Sequence, residues 1–281
     1  MSRILLAGLS TVDVVQRVVE LPVPGRKVQS NSVALVAGGP AANAAVAVAA
    51  LGGQAALATV LGAHPLALLA LRDLEQHGVS VIDLMPDRVE PPTVSAVVVR
   101  EDDGERTVVS RNAVGTTITV PTDLPAADAV LVDGHHPVLA LRAANTAVPV
   151  VLDAGSYKPV HDELLPLVDV CACSATYPLS AKDLHGRGVP VVIRTHGAGP
   201  VTWSCDGVSG EVWPEPVAAK DTSGAGDVWH GALTWAIGRL GRVPGAAELP
   251  ALIGLANRVA AVKVRHEGPR AWVDEVRGEQ W

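Results

Sequence analysis

The sequence predicts an α/β fold, a mostly parallel, doubly wound sheet carrying a small β appendage. Three observations lead there. Short Val-rich runs alternate with Ala-rich helical runs along most of the chain. One strand–turn–strand segment breaks that rhythm, and two glycine-rich segments stand at loop-to-helix junctions.

The elements follow in order. Residues 3–6 form an apolar strand running into Gly8 and a polar loop that contains Asp13. After Pro22, Pro24 and Gly25, residues 27–36 read as a second extended piece. The Ala/Val run 41–51 is a buried helix ended by Gly52 and Gly53. A strand at 55–60, a helix at 65–77 and a strand at 79–84 continue the alternation. Residues 94–99 and 107–110 flank the loop EDDGER as a hairpin with Asp103 and Gly104 at its tip. Strands are then expected at 129–132, 148–152, 168–172 and 189–193, with a helix at 138–146. A strand pair within 201–212 precedes two helices, 226–240 and 249–265. The chain is read as one α/β domain over 1–281, with lid segments at about 13–36 and 91–112.

Composition narrows the function classes. The 281 residues are 48% hydrophobic and 18% charged, so the chain can bury a core and is not of the disordered class. Aromatic residues make up 3%, with no Phe and none of any kind before Tyr157, so Ala, Val and Leu must build that core. Net charge is −7 without a basic block, which argues against a general nucleic-acid binder. Cys171, Cys173 and Cys205 are too few for a disulfide framework and lack zinc-ligand spacing. The most apolar stretch, 33–51, is broken by Gly38, Gly39, Pro40 and Asn43, so no membrane partner is expected. The opening MSRILLAGLS is too short a run for a signal peptide, and the expected location is cytoplasmic.

Asp221-Thr222-Ser223-Gly224-Ala225-Gly226-Asp227 precedes the helical run VWHGALTWAIGRL. A tight glycine turn before a helix leaves free N–H groups aimed forward at its positive end, which makes an anion hole. A carboxylate beside a bound phosphoryl group is costly unless it acts on the attacking hydroxyl, so Asp227 reads as a general base for phosphoryl transfer. A plain helix cap after a glycine turn is the competing reading. Gly38-Gly39-Pro40-Ala41-Ala42-Asn43 is a second such junction, with an amide able to donate to and accept from a polyol.

Together, GGPAANAAVAVAALGG (38–53) and DTSGAGDVWHGA (221–232) resemble the two signature regions of the ribokinase (PfkB) family of ATP-dependent carbohydrate kinases. GLSTVD (8–13) is similar to its opening substrate loop, DDGERTVVS (102–110) to its lid hairpin, and THGAG (195–199) to its nucleotide turn. DGHHP (133–137) and VVLDAGSYKP (150–159) are most similar to the ketohexokinase-like branch.

The resemblance implies a ribokinase-like three-layer αβα fold with a β-sheet lid, and a sugar kinase using ATP and Mg²⁺. It implies Asp227 as base and Gly224, Ala225 and Gly226 as N–H donors to the transferring phosphoryl. Asp13, Gly39 and Asn43 would hold sugar hydroxyls, with Gly38 letting the backbone pass close to the sugar. Thr195, Gly197 and Gly199 would lie near the nucleotide, and Asn257 near its adenine or ribose. Asp221 and Ser223 would flank a monovalent cation, K⁺. Arg106 could reach the sugar cleft or stand solvated on the hairpin; Asp13 could be a turn former, Asn257 a surface residue. Lid-to-lid pairing in the family implies a homodimer. One departure stands out: where many relatives carry Asn-x-x-Glu near Mg²⁺, this chain reads Ser174-Ala175-Thr176-Tyr177.

A nucleoside kinase is the nearest alternative, but it would need aromatics from the lid to grip a base, and none occurs there. A non-catalytic sugar- or nucleotide-binding regulator is supported only by the residues at 174 and 177. A dinucleotide-binding dehydrogenase fails, because GLSTVD is not G-x-G-x-x-G after the first strand.

Overall fold

The first strand, β1 (Arg3–Ala7), is buried on both faces. Ile4 and Leu6 enter one hydrophobic core, and Leu5 and Ala7 enter another on the opposite side. That period of two is why parallel strands read as continuous apolar runs, and why helices must cover both sides. The computed structural model describes residues 1–113 and 117–281.

From the first strand the chain runs through β2 (Thr11–Val18), β3 (Ser32–Gly38), α1 (Pro40–Ala50), β4 (Gln54–Thr59), α2 (Pro65–Gln76) and β5 (Val79–Asp83). The hairpin β6 (Val94–Arg100) and β7 (Arg106–Ser110) precedes β8 (Ala129–Val132), α3 (Pro137–Ala144), β9 (Val150–Ala154) and α4 (His161–Leu164). Then come β10 (Val170–Ser174), α5 (Ala181–Gly186), β11 (Val191–Thr195), β12 (Val201–Cys205) and β13 (Val208–Val212). The chain closes with α6 (Ala225–Leu240), α7 (Leu249–Arg265) and α8 (Val273–Gly278).

Nine strands form the main sheet in the order β13-β12-β11-β10-β9-β8-β1-β4-β5. All its pairs are parallel except β11–β12 and β12–β13. Helices α1, α2, α6, α7 and α8 cover one face; α3, α4 and α5 cover the other. The alanines of α1 let it approach α6 closely. Gly231 sits at the crossing, where a Cβ would lie 2.4 Å from the Ala44 carbonyl oxygen. No described helix is long and apolar enough to cross a membrane.

A second sheet, ordered β3-β2-β6-β7, forms the lid. Two expectations change here. Asp13 lies within a strand rather than a loop, because β2 pairs with both β3 and β6. The extended piece expected over 27–36 starts as a strand only at Ser32. The pattern of β2 is hard to read because Asp13, Val15 and Arg17 share one face, mixing charge and hydrocarbon on what becomes a cavity wall. The short helices α4 and α5, and α8, were not legible from periodicity, being too short to show it.

Candidate active site

A cavity of about 640 Å³ opens between the lid and the carboxyl ends of the parallel strands. In open α/β sheets that crevice is where ligands bind. The lid presents three cross-strand rows to it. Val36, Asp13, Ser95 and Ser110 form a polar row, and Ala34, Val15, Val97 and Val108 an aliphatic one. Arg17 and Arg106 lie on the row Ser32–Arg17–Val99–Arg106. No lid residue lining the cavity is aromatic.

The two glycine junctions meet across this cavity. Gly224 takes a left-handed conformation, φ 70°, and caps α6, which places Asp227 in the first helical turn. Asn43, in the first turn of α1, donates from Nδ2 to Asp227 Oδ2 at 2.9 Å. Among the described residues the Gly224 and Gly226 N–H groups find no protein acceptor, whereas Ala225 N–H donates to the Thr222 carbonyl at 3.3 Å. The free donors are therefore fewer than the three expected. Burial pushes the Asp227 carboxyl up to about 6; the Asp153 carboxylate adds to this, and the Asn43 hydrogen bond opposes it.

Asp13 accepts from Thr11 Oγ1 at 2.5 Å, and burial raises its pKa. Its carboxylate lies over Gly38, where a Cβ would come within 2.0 Å of an Asp13 oxygen. Gly39 adopts φ 92°, and a side chain there would also meet the Leu9 carbonyl. Arg106 Nη1 donates to Thr222 Oγ1 at 3.2 Å, so the lid hairpin touches the loop before α6.

Several cavity residues escaped the sequence reading. Asp153, at the end of β9, is buried with Oδ2 unpartnered by hydrogen bonds, and His230 Nδ1 stands 3.4 Å away. A strand-terminal carboxylate in VVLDAG was a usable signal for it. Arg270 had none, since it sits in an irregular turn before α8. Its guanidinium donates to Asn43 Oδ1 at 3.1 Å, to the Ala37 carbonyl at 2.6 Å and to Asp73 Oδ2 at 2.9 Å. Burial pushes Asp73 up, but His77 and Arg270 outweigh it and leave the carboxyl below its usual value. Asp133 is occupied structurally: it accepts from the Leu9 and His135 N–H groups and pairs with the His135 ring.

The residues expected at the nucleotide do not line this cavity. Thr195 ends β11, Gly197 turns with φ 63°, and Gly199 N–H donates to the His196 carbonyl. Asn257 is buried, not on the surface; its Oδ1 accepts from Trp229 Nε1 at 2.8 Å and its Nδ2 has no partner among the described residues. Ser174 Oγ donates to the Gly155 carbonyl, and the Tyr177 hydroxyl bonds to His161 Nδ1, so neither faces the cavity as a carboxylate would. Asp221 is nearly fully buried against Lys263, and Ser223 Oγ is buried without a partner among the described residues.

A family model described as pfkB family carbohydrate kinase matches residues 1–275. The bifunctional ribokinase/ribose-5-phosphate isomerase A of Fructilactobacillus sanfranciscensis is 24% identical over 261 residues, 83% of this chain and 48% of that protein. The chain thus spans about half the length of that relative. Ribokinase from Thermotoga maritima superposes with a TM-score of 0.79 at 20% identity, covering 99% of this chain and 100% of the other. Arabidopsis thaliana ribokinase, solved with ribose and ATP, gives 0.70 at 20% identity, covering 99% of each.

Proposed function

The chain belongs to the pfkB family of carbohydrate kinases, and we propose that it transfers the γ-phosphoryl group of ATP to a hydroxyl of a small, polyhydroxylated substrate. The Asn43–Asp227 hydrogen bond at 2.9 Å carries this reading, because it joins a polyol-binding amide to a base at a helix N-terminus.

In the proposed step Asp227 accepts the hydroxyl proton as the substrate oxygen bonds to the γ-phosphorus. The bond from that phosphorus to the β,γ-bridging oxygen breaks, and ADP leaves with the electron pair. A carboxyl near 6 is ionised at neutral pH yet basic enough to take a proton in the transition state. Gly224 and Gly226 N–H groups would stabilise charge on the equatorial oxygens. Asp13 and Asn43 would orient the sugar, with Arg270 fixing which end of the Asn43 amide donates. The aliphatic row Val15, Val97 and Val108 suits the C–H face of a sugar and offers no wall on which a base could stack.

The residues present fit a divalent cation: Asp153 offers an unpartnered, buried carboxylate oxygen in the cavity beside Asp227. Asp153 would hold Mg²⁺, which when bound neutralises phosphate charge. Ser174 and Tyr177 take no part. The nucleotide would lie toward Thr195, Gly197, Gly199 and Asn257.

The outward face of the lid supports a homodimer. Leu35, Val14, Ala96 and Val109 stand in register across its four strands, and Leu35 and Val109 are exposed.

An ATP-consumption screen over ketoses, aldoses, sugar acids and nucleosides tests the function. Phosphorylation of a sugar, abolished by Asp227→Asn, is the expected result. Preference for a nucleoside, or sugar binding by calorimetry without any transfer, would overturn it.

A further inference from the structure

Lys263 is 2% exposed, a rare place for an ammonium group. It lies in the last turn of α7, where the helix dipole favours positive charge. Nζ donates to the Asp221 backbone carbonyl at 3.2 Å and stands 3.8 Å from Asp221 Oδ2. Asp221 opens the loop that ends at Gly224, so this ammonium holds the start of the segment whose N–H groups head α6, and it lines the same cavity as that segment.

The family resemblance places a monovalent cation at Asp221 and Ser223, and the donor set does not fit one. Asp221 Oδ1 already accepts from Ser223 N–H at 2.9 Å, and Oδ2 accepts from Gly268 N–H at 3.2 Å. Its carbonyl is taken by Lys263. Arg17 Nη1 stands 3.9 Å from Oδ2, so one carboxylate already faces two cations. Of the side-chain oxygens of Asp221 and Ser223, only Ser223 Oγ remains without a partner among the described residues, whereas a hard cation gathers on the order of six oxygens. A third positive charge would meet repulsion from Lys263 and Arg17 with almost no coordination to offset it.

We propose that the Lys263 ammonium is a built-in monovalent cation for the 221–224 loop, so that this chain works without potassium. The proposal rests on the kinase reading above. Lys263 acts as a positioning residue: from the cavity wall that it shares with Asp221 it anchors the Asp221 carbonyl and keeps the following N–H groups aimed inward. Burial draws its pKa down and the Asp221 carboxylate opposes that pull.

Turnover and thermal unfolding are measured in potassium chloride and in tetramethylammonium chloride at equal ionic strength. Turnover within about twofold and an unchanged Tm are expected for the unaltered protein. A potassium-specific rise in either overturns the proposal. Lys263→Ala vacates the ammonium position, and it should lose at least tenfold in turnover in tetramethylammonium, recover in potassium or ammonium, and gain a potassium-specific rise in Tm. Full turnover in tetramethylammonium, or a loss that no small cation restores, overturns it. Should Lys263→Ala not fold, Lys263→Met keeps the volume without the charge and should be impaired in both salts; full turnover there overturns the proposal. The melting arms need no substrate, so failure to phosphorylate any sugar counts against the kinase reading alone.

Discussion

Asn43 and Asp227, 184 residues apart in the chain, share a hydrogen bond of 2.9 Å from the Asn43 amide to the Asp227 carboxylate. The bond ties the first turn of α1 to the first turn of α6, two helices that Gly231 allows to pack closely. Under the proposed function this one contact would couple substrate orientation to the base. The consequences can be measured.

Asp227→Asn keeps shape and can still accept from Asn43, but it cannot take a proton. Turnover should fall by on the order of 10³-fold while sugar affinity, read by calorimetry, stays within about threefold. Turnover near that of the unaltered enzyme would remove Asp227 from the base role.

Activity should show an acidic limb. With the Asp227 carboxyl near 6, kcat/KM should fall about tenfold per pH unit below that value. Stability carries the opposite sign. A carboxyl raised from 3.8 to about 6 on folding favours the folded state below pH 4 and loses that contribution as pH rises through 6. The cost of ionising it is on the order of 3 kcal/mol. Asp227→Asn should therefore raise Tm at pH 7–8, with the gain shrinking toward pH 4.

Gly38→Ala should separate binding from folding. Its Cβ would lie within 2.0 Å of an Asp13 oxygen, so the carboxylate must turn away; KM for the sugar should rise more than tenfold with a cooperative melt retained. Gly231→Ala makes the contrast. Its Cβ would meet the Ala44 backbone at 2.4 Å, and a backbone cannot swing aside, so stability should drop by about 2–3 kcal/mol in denaturant titration.

Arg270→Met removes the group that orients Asn43 and leaves Asp73 with only the Ala37 N–H and the His77 ring. Turnover should fall about 10- to 100-fold with a smaller change in KM, and Tm should fall. Arg270→Lys should recover little, because a single ammonium cannot reach Asn43, Asp73 and the Ala37 carbonyl together.

Leu35→Glu with Val109→Glu charges the outward row of the lid without touching the cavity-facing rows. Sedimentation should show a dimer for the unaltered protein and a monomer for the double variant. A monomer in both cases would end the homodimer reading.

The sequence by itself determined the layer architecture and the two glycine-rich loop-to-helix junctions. Period-two and helical patterns follow from burial on one or both faces, so β1, α1, α2, β8 and α6 were legible within a residue or two. Glycine at 38, 39 and 224 is demanded by local backbone geometry or close approach, which is why DTSGAGD and GGPAAN stood out. Lys263 was not singled out, although it follows Leu249, Ile253, Ala256 and Val259 on the buried side of α7. What only the tertiary structure decided is which distant groups meet. Asp13 in a strand, Arg270 on Asn43, Asp153 near Asp227 and Lys263 on the Asp221 carbonyl depend on sheet order and helix packing. Local patterns record which face of an element is buried, whereas charge pairing across the cavity is set by elements up to 233 residues apart, and no short-range periodicity encodes that.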